Sequence, residues 1–297
     1  MPRIEVRPAR AEDREAILAF TTHTWEWGDY IEDVWDEWLH DAHGCLFVAT
    51  VDGRPAGLVH MHMLSEGEAW MEGLRVDPQY RGLGLARELN LAAQAEAMRR
   101  GATLARLLID SRNERSKHLA ESNHMRRVGA YALYTAPPLG IAERQRHAQE
   151  QERTQIATPD DLNEIIDYLN VSNIFPLTGG LYYAGYTGYT ITARLLEARI
   201  ADRGIYLLCR WGRLDGLAIA EVRDEYDGKC LSTGYIDGTT IEAISLIAHD
   251  LRRRLGELEL ERVRLHAPDL VLVRDMLPGL AYTWDGSVFC TYERGLV

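Results

Sequence analysis

A pair of glycines ahead of a predicted helix is the part of this sequence best suited to chemistry. Residues 79–84 read Gln-Tyr-Arg-Gly-Leu-Gly, and residues 85–100 are rich in helix formers. Asp77-Pro78 ends the apolar run before them, because proline cannot donate a ladder hydrogen bond and biases its predecessor away from helix. Free N–H groups at a helix start, next to Arg81, can bind a doubly charged phosphate group. We therefore predict an anion-binding turn here.

Two familiar phosphate-binding motifs do not fit this turn. A dinucleotide fingerprint has three glycines and a P-loop has Gly-Lys-Ser/Thr, and neither is present. The pattern Gln79-x-x-Gly82-x-Gly84 resembles the acetyl-CoA signature of the GNAT acetyltransferase superfamily, which is Gln/Arg-x-x-Gly-x-Gly/Ala. An ordinary strand–turn–helix with glycines for close packing is the alternative. The coincidence of glycines, arginine, strand and helix favours the GNAT interpretation.

The resemblance implies acetyl-CoA as co-substrate and assigns its contacts. It places the pantetheine arm along the strand at Leu74 and Val76, and the thioester carbonyl near a backbone N–H in the splay of that strand. It also implies that Asn113 and Ser116 contact the coenzyme. The backbone amides expected to bind the pyrophosphate are those of Arg81, Gly82, Leu83, Gly84, Leu85 and Ala86.

A catalytic base is the next requirement, because an amine that is protonated at neutral pH cannot attack a thioester. Glu72 is the leading candidate. It precedes Leu74 by two residues, so the strand period puts both on one side, close to the expected acetyl carbon. His62 is the second candidate and His60 the third. The alternative is a surface carboxylate on an open strand face, or one that pairs with either histidine.

The general acid is not identified by the sequence. The family usually carries a tyrosine on the helix after the position of Asn113, and here Ala120 stands seven residues after Asn113. Four residues before Gly129, the other expected spacing, stands Met125. The proton donors left open are Tyr131, Tyr134, Ser122, His118 and water.

The elements around these residues predict an α/β fold with two tandem GNAT-like domains, each a mixed, mostly antiparallel sheet flanked by helices. Apolar alternation and turn residues predict strands, and helix formers predict helices. In the first half the predicted strands are 4–6, 46–51, 55–63, 69–76 and 105–110, with helices up to about 21, over 85–100 and from about 113. The predicted domains are 1–138, which binds acetyl-CoA and carries the catalysis, a connecting helix at 139–153, and a degenerate GNAT-like domain at 154–297.

The second half repeats the first in outline. Residues 212–217 (Gly-Arg-Leu-Asp-Gly-Leu) match residues 53–58 (Gly-Arg-Pro-Ala-Gly-Leu) in spacing. Where the first half has the glycine turn, residues 235–240 read Tyr-Ile-Asp-Gly-Thr-Thr, with one glycine fewer, no arginine and an aspartate that would repel phosphate. We predict that this copy does not bind coenzyme A. Its tyrosine-rich residues 179–189 are expected to form turns and edges, or else a lid over the acceptor cleft.

Residues 25–41 combine four tryptophans with seven acidic residues. An amphipathic helix with a solvated acidic face explains them, and so does one wall of an acceptor site that attracts a cationic amine. The sequence therefore predicts an acetyl-CoA-dependent N-acetyltransferase that acts by direct attack, with a cationic primary amine as acceptor. A non-catalytic coenzyme-A-binding sensor or scaffold is the alternative, and the missing tyrosine supports it.

Composition limits the partners. The net charge is −12, from 33 basic and 45 acidic residues, which argues against general nucleic-acid binding. No apolar run is long enough to span a bilayer, so no membrane partner is expected. The partners expected are a small-molecule or peptide amine, and a homodimer is left open. The four cysteines are scattered without ligand spacing, which predicts reduced thiols in a cytoplasmic protein and no metal site (Cys45, Cys209, Cys230 and Cys290).

Overall fold

A computed structural model describes residues 2–24, 28–140, 153–225 and 228–296. Contacts divide the chain into two compact units. Unit 1 contains Met1–Ile109, Asn113–Arg127 and Thr291–Val297, and unit 2 contains Asp110–Arg112 and Val128–Cys290. The predicted boundaries remain a prediction. The units differ from them in three places, since residues 110–112 and 128–138 fall in unit 2 and residues 291–297 fall in unit 1.

Unit 1 is a sheet with helices on both faces. Its helices are α1 Arg14–Thr21, α2 Ile31–Leu39, α3 Leu85–Arg99 and α4 Glu114–Ser122. Its strands are β1 Ile4–Pro8, β2 Gly44–Val51, β3 Arg54–Met63, β4 Glu68–Val76 and β5 Leu104–Asp110. They lie in the order β1-β2-β3-β4-β5, antiparallel up to β4, and β5 is parallel to β4.

The two faces of this sheet are covered by different helices. Trp35 and Trp38 of α2 are buried in a cluster with Leu58 of β3. Gly57, the residue before Leu58 on β3, faces the opposite side of the sheet. There it lies against Leu89 of α3. Trp35 and Trp38 therefore lie on the buried face of α2, as the amphipathic interpretation expects. Trp25 and Trp27 lie outside the described residues.

Unit 2 repeats this arrangement. Its strands are β6 Arg126–Ala136, β7 Gln155–Ile156, β8 Leu181–Ala184, β9 Thr187–Thr190, β10 Ile205–Arg210, β11 Arg213–Glu225, β12 Gly228–Gly238, β13 Val263–Pro268 and β14 Thr283–Gly295. The main sheet runs β6-β13-β12-β11-β10-β7, β12 and β13 are parallel, and β8 and β9 form a separate hairpin. Its helices are α5 Leu162–Val171, α6 Ala193–Ala201, α7 Ile241–Glu257 and α8 Val271–Met276.

The predicted fold class is confirmed: mixed sheets, mostly antiparallel, flanked by helices in both units. β14 is divided between the units at Cys290 and Thr291, which the sequence did not indicate. The predicted connecting helix at 139–153 falls almost wholly outside the described residues. Among the helices that the structure describes, none combines the length and apolar character needed to cross a membrane.

Candidate active site

A bulge in β4 shapes the site in unit 1. Glu72 pairs with His60 and Arg75 pairs with Leu58, so two residues of β4, Gly73 and Leu74, face the single residue between them on β3. A two-against-one arrangement of this kind is a β-bulge. The expectation that Glu72 and Leu74 share one side is therefore wrong. The extra residue resets the two-residue period, and Arg75 continues the face of Glu72 instead.

Gly73 is required at the bulge for two reasons. Its φ of +69° lies in the left-handed region, which residues with a side chain rarely adopt. A Cβ at this position would also stand 2.5 Å from the ring of Trp38. The missing side chain lets Trp38 approach the strand and stack on His60, with 4.6 Å between ring centroids and 12° between planes.

The parallel strands β4 and β5 separate next to the bulge. They pair only from Glu68 to Met71 on β4 and from Leu104 to Leu107 on β5, although β4 continues to Val76. The splay that the resemblance implied is therefore present. Leu74 and Val76, the predicted pantetheine contacts, lie on the free part of β4 and are partly exposed. An extended ligand can add to a free strand edge through main-chain hydrogen bonds.

The glycine turn follows β4 directly. Gly82 and Gly84 have φ values of +83° and +85°, and a Cβ at either would meet no atom within 4 Å. Backbone conformation rather than space therefore calls for glycine at both. Helix α3 begins immediately after Gly84 without a side-chain cap, and the first N–H groups of a helix have no intrahelical acceptor. The turn thus brings together the predicted pyrophosphate-binding residues Arg81, Gly82, Leu83, Gly84, Leu85 and Ala86.

Asn113 and Ser116 lie at the start of α4 in unit 1. The Oδ1 atom of Asn113 accepts a hydrogen bond from the Ser116 N–H at 3.1 Å, so Asn113 is the N-cap of this helix. An N-cap satisfies a backbone donor that the helix itself leaves unpaired. Their contact with the coenzyme remains a prediction.

A histidine between two carboxylates forms the chemical centre of unit 1. The His60 side chain is 1 % exposed, and its Nδ1 lies 3.2 Å from Oε1 of Glu72. Its Nε2 lies 3.1 Å from Oδ2 of Asp41, the first residue beyond the α2 turn. Both carboxylates reach solvent, with Glu72 27 % and Asp41 17 % exposed. The alternative that Glu72 pairs with a hairpin histidine is thus observed, and the free oxygen of Glu72 still leaves it able to act as a base.

His62 stands at the edge of the same centre. Its Nδ1 lies 3.9 Å from Oδ2 of Asp41, and burial lowers the pKa of His62 below its ordinary value, because an imidazolium loses solvation there. One donor atom each from Asp41, His60 and His62 lie within 4.8 Å of one another, a spacing that could also hold a cation. The absence of a metal site therefore remains a prediction.

A buried ion pair fixes the strand beyond the bulge. Arg75 donates to both carboxylate oxygens of Asp29, at 2.8 and 3.2 Å, and its guanidinium lies over the ring of Tyr30. Burial raises the pKa of Tyr30. The Tyr30 ring meets the edge of Trp38 with centroids 6.0 Å apart. The described part of the acidic, aromatic segment therefore does form one wall of this centre.

The sequence did not single out Asp41, Asp29 or Arg75 as site residues. Asp41 was one acid among seven in its segment, and nothing in local spacing connects it with a strand residue nineteen positions away. The only available signal was the pattern His-x-His in β3, which marks a strand face with two polar side chains next to an acidic loop.

The side-chain candidates for the general acid lie on α4 and β6. The Ser122 hydroxyl donates to the Leu119 carbonyl at 2.8 Å. Tyr131 and Tyr134 belong to unit 2. Burial raises the pKa of Tyr131 well above its ordinary value, and its hydroxyl has no hydrogen-bond partner among the described residues. The helix α4 itself carries no tyrosine.

The corresponding turn of unit 2 is closed by its own side chains. Asp237 is buried and accepts hydrogen bonds from the hydroxyls of Tyr168, Ser172 and Tyr235 at 3.1, 2.6 and 2.6 Å. The hydroxyl of Thr240 accepts from the Ala243 N–H and caps α7. A carboxylate and a side-chain cap therefore stand where unit 1 has an arginine and an open helix start.

The splay of unit 2 is covered as well. Strands β12 and β13 pair only up to Thr233 and Leu265. Beyond that point the β8–β9 hairpin touches both strands. The Gly185 carbonyl lies 2.9 Å from Nε2 of His266, and the Tyr183 carbonyl packs directly on Gly234. The tyrosine-rich segment thus packs within unit 2.

Known proteins share this sequence pattern and this fold. Residues 14–125 match the family model described as Acetyltransferase (GNAT) family. A histidine N-acetyltransferase from Oreochromis niloticus is 33 % identical over 79 residues, which are 26 % of this chain and 23 % of that protein. A mycothiol acetyltransferase from Thermomonospora curvata is 35 % identical over 95 residues, 31 % of each chain. The chain thus spans less than a third of either relative.

Solved structures resemble the chain over its full length. A GCN5-related N-acetyltransferase from Sphaerobacter thermophilus has a TM-score of 0.62 at 12 % identity, covering 99 % of this chain and 96 % of that one. A tandem GNAT protein from the clavulanic acid biosynthesis pathway has a TM-score of 0.51 at 15 % identity, covering 99 % of both chains. Residues 14–125 therefore resemble the GNAT family in sequence, and the chain as a whole shares the fold of a tandem GNAT protein.

Proposed function

We propose that this chain is an acetyl-CoA-dependent N-acetyltransferase, and that unit 1 carries the reaction. The supporting observation is the path of β4. This strand leaves β5 after Met71, passes Glu72 and the bulge, and enters the glycine turn at the start of α3. A coenzyme bound through its phosphates at the turn and along the free strand edge would bring its thioester to Glu72.

The coenzyme contacts follow the same path. The backbone N–H groups of the turn from Arg81 to Ala86 would bind the pyrophosphate, and the exposed Arg81 side chain would add a positive charge. The free edge at Leu74 and Val76 would pair with the pantetheine amides. Asn113 and Ser116 would complete the site from α4.

The reaction would proceed by direct attack. The acceptor's ammonium gives one proton to Glu72, and the neutral nitrogen attacks the thioester carbon. The new C–N bond forms while the carbonyl electrons move to oxygen, next to the backbone N–H groups that the bulge leaves out of the ladder. The intermediate then breaks its C–S bond. The thiolate takes the second proton of the nitrogen, and Glu72 releases the first to solvent, so the products are an acetylated amine, coenzyme A and one proton.

A cationic primary amine suits this site best. The carboxylates of Glu72 and Asp41 both reach solvent, and together they attract a positive charge. The names of the two relatives, a histidine and a mycothiol acetyltransferase, support a small molecule as acceptor. A peptide amine is the second class to test.

Labelled acetyl-CoA with a panel of polyamines, amino acids, aminoglycosides and peptides tests the proposal. We expect labelled amine and free thiol in equal amounts. Glu72→Gln should lower kcat/KM by about 10²- to 10⁴-fold, the usual contribution of general base catalysis. The Kd of the Glu72→Gln variant for acetyl-CoA, measured by calorimetry, should equal that of the wild type.

His62→Gln is the matched control, because His62 stands at the edge of the same centre. A small effect of His62→Gln beside a large one of Glu72→Gln assigns the base to Glu72. The reverse result assigns it to His62.

A coenzyme-A sensor without turnover is the second candidate function. The observation that favours it is the lack of a tyrosine on α4, which leaves the departing thiolate without the usual proton donor. Binding of acetyl-CoA without release of free thiol, over the whole panel, would establish the sensor and reject the enzyme.

A further inference from the structure

Three side chains of unit 1 bring metal-binding atoms together. His60 and His62 are two residues apart on β3, so the strand period places both imidazoles on one face. Asp41 follows α2 and reaches the same place. Its Oδ2 lies 3.1 Å from Nε2 of His60 and 3.9 Å from Nδ1 of His62, and the three atoms lie within 4.8 Å of one another. Two imidazole nitrogens and one carboxylate oxygen thus surround one small volume.

The separations suit a single ion. Tetrahedral zinc binds imidazole nitrogen and carboxylate oxygen at about 2.0–2.2 Å, which places two of its ligand atoms about 3.3 Å apart. The separation of 3.1 Å between Asp41 and His60 is close to that value. The wider separation involves His62, whose side chain is partly exposed and can turn towards the ion.

The other two ligands are already held in the orientation that a metal needs. A histidine that binds a metal through one nitrogen donates its other N–H to a carboxylate, a carbonyl or water, which fixes the ring. Glu72 offers such an acceptor, with Oε1 3.2 Å from Nδ1 of His60, and Trp38 stacks on the same ring. Oδ1 of Asp41 accepts the His43 N–H at 2.8 Å, which leaves Oδ2 for the ion.

An ion can reach this group from solvent. Asp41 and His62 are partly exposed and His60 is buried beneath them, so the site is open on one side. Two imidazoles and one carboxylate suit Zn²⁺ and the neighbouring transition metals, whereas Mg²⁺ and Ca²⁺ prefer oxygen ligands. Three protein ligands leave a fourth position of a tetrahedral ion for water.

We propose that Asp41, His60 and His62 form a binding site for one divalent transition-metal ion of the Zn²⁺ class, with Glu72 as the outer partner of His60. The sequence-based expectation of no metal came from the spacing of cysteines, which carries no information about Asp41. The site itself does not depend on the proposed function. Its effect on the acceptor does, because the ion would occupy the Asp41 carboxylate that attracts the amine and would add a positive charge there.

Calorimetry with Zn²⁺ on the untagged, chelator-treated chain tests the site. We expect saturable binding of one equivalent that excess Mg²⁺ does not displace. X-ray absorption of the zinc complex should show two imidazole ligands. Protein that binds no zinc, or that binds it without imidazole, overturns the proposal whether or not the protein turns over.

Three variants separate a ligand from its surroundings. Glu72→Ala removes only the outer partner and should raise the Kd for Zn²⁺ by about 10- to 100-fold, the usual effect of losing such a partner. His62→Gln removes a ligand, so its Kd should rise further. His43→Gln is the matched control, because His43 is exposed and its backbone N–H still holds Asp41 in the variant. It should bind Zn²⁺ like the wild type. Unchanged affinity in His62→Gln, or equal losses in His62→Gln and His43→Gln, would reject the site.

Kinetics with free Zn²⁺ set by a chelator buffer test the effect on the acceptor. At free Zn²⁺ about ten times its Kd, a competing ion should raise the KM for the amine about tenfold. The Kd for acetyl-CoA should not change, and His62→Gln should lose the effect at the same free Zn²⁺. An unchanged KM with zinc bound rejects the overlap with the acceptor site.

Failure of the proposed function is a different result. It would show as no acetylated product from the metal-free wild-type protein with any amine, while calorimetry still detects zinc binding.

Discussion

A single glycine couples the backbone to the chemistry of unit 1. Gly73 combines a left-handed φ with the space that Trp38 fills, and Trp38 covers His60. Even one methyl group at position 73 would have to displace an indole ring held in the core. The stacking of Trp38 on His60 and the bulge in β4 therefore depend on the same residue.

At the same scale, His266 predicts a pH dependence of stability. Its pKa falls from an ordinary value of 6.5 to about 4 in the folded protein. Between these values the unfolded chain binds a proton that the folded chain does not. The free energy of unfolding should therefore fall as pH drops from 6.5 to about 4, with an upper limit of about 3 kcal/mol from this group, and stay flat above that range.

Urea unfolding of wild type and His266→Gln over this range measures the effect. Carboxylates also titrate there, so the difference between the two proteins isolates the histidine. Curves that stay parallel across the whole range would contradict the prediction.

The strand–turn–helix element differs between unit 1 and unit 2. In unit 1 the turn ends in Gly84, which leaves the start of α3 open. In unit 2 the equivalent helix α7 starts at a threonine cap, and the β8–β9 hairpin covers the adjoining splay. The same supersecondary element thus exposes backbone donors in one copy and satisfies them internally in the other.

Valine at position 84 tests the open turn. Gly84→Val forces a β-branched residue into a left-handed conformation directly before the first turn of α3. We expect the Kd for acetyl-CoA to rise by about 100-fold, as for the loss of a phosphate site built from several backbone hydrogen bonds. Calorimetry measures it.

Gly53→Val is the matched control, because Gly53 has a φ of +82° and equally open space in the β2–β3 turn. It should carry the same backbone strain with unchanged coenzyme affinity. Equal losses of affinity in both variants would show that strain alone accounts for the effect.

At the scale of the whole molecule, the end of the chain belongs to the first unit. Thr291–Val297 lies in unit 1, where Glu293 accepts a hydrogen bond from Arg106 of β5 at 2.8 Å. Arg294 donates to the Gln94 side chain on α3 at 2.6 Å. Unit 1 is therefore completed by residues that follow all of unit 2 in the sequence.

Two arginines contact Glu293, and substituting each of them tests how much the last strand contributes to the stability of unit 1. The Arg106 side chain is 6 % exposed and also contacts Glu68, whereas that of Arg126 is 79 % exposed. Arg106→Gln should lower the free energy of unfolding by about 3 kcal/mol, because it removes a buried cation that lies between the carboxylates of Glu68 and Glu293. Arg126→Gln should lower it by less than about 1 kcal/mol, as for an exposed ion pair. Denaturant unfolding compares them, and equal effects would contradict the assigned role of the last strand.

Local pattern was sufficient for the elements and for the glycine turn. The β2–β3 hairpin, the strand β4 and the helix α3 follow from alternation, turn residues and helix formers, which act between near neighbours in sequence. Gly82 and Gly84 can be identified from the sequence for the same reason. The left-handed backbone that requires glycine is a property of each residue alone. The loss of this turn in the second half is equally visible in residues 235–240.

Only the tertiary structure decided how the centre is assembled. Asp41 meets His60 because α2 packs on the sheet, and position 73 needs a glycine because Trp38 of that helix occupies the space of a side chain. The return of the last residues to unit 1 likewise joins partners 187 positions apart. Contacts of this kind depend on packing between distant segments, and a period or a motif, which describes only neighbouring residues, carries no information about them.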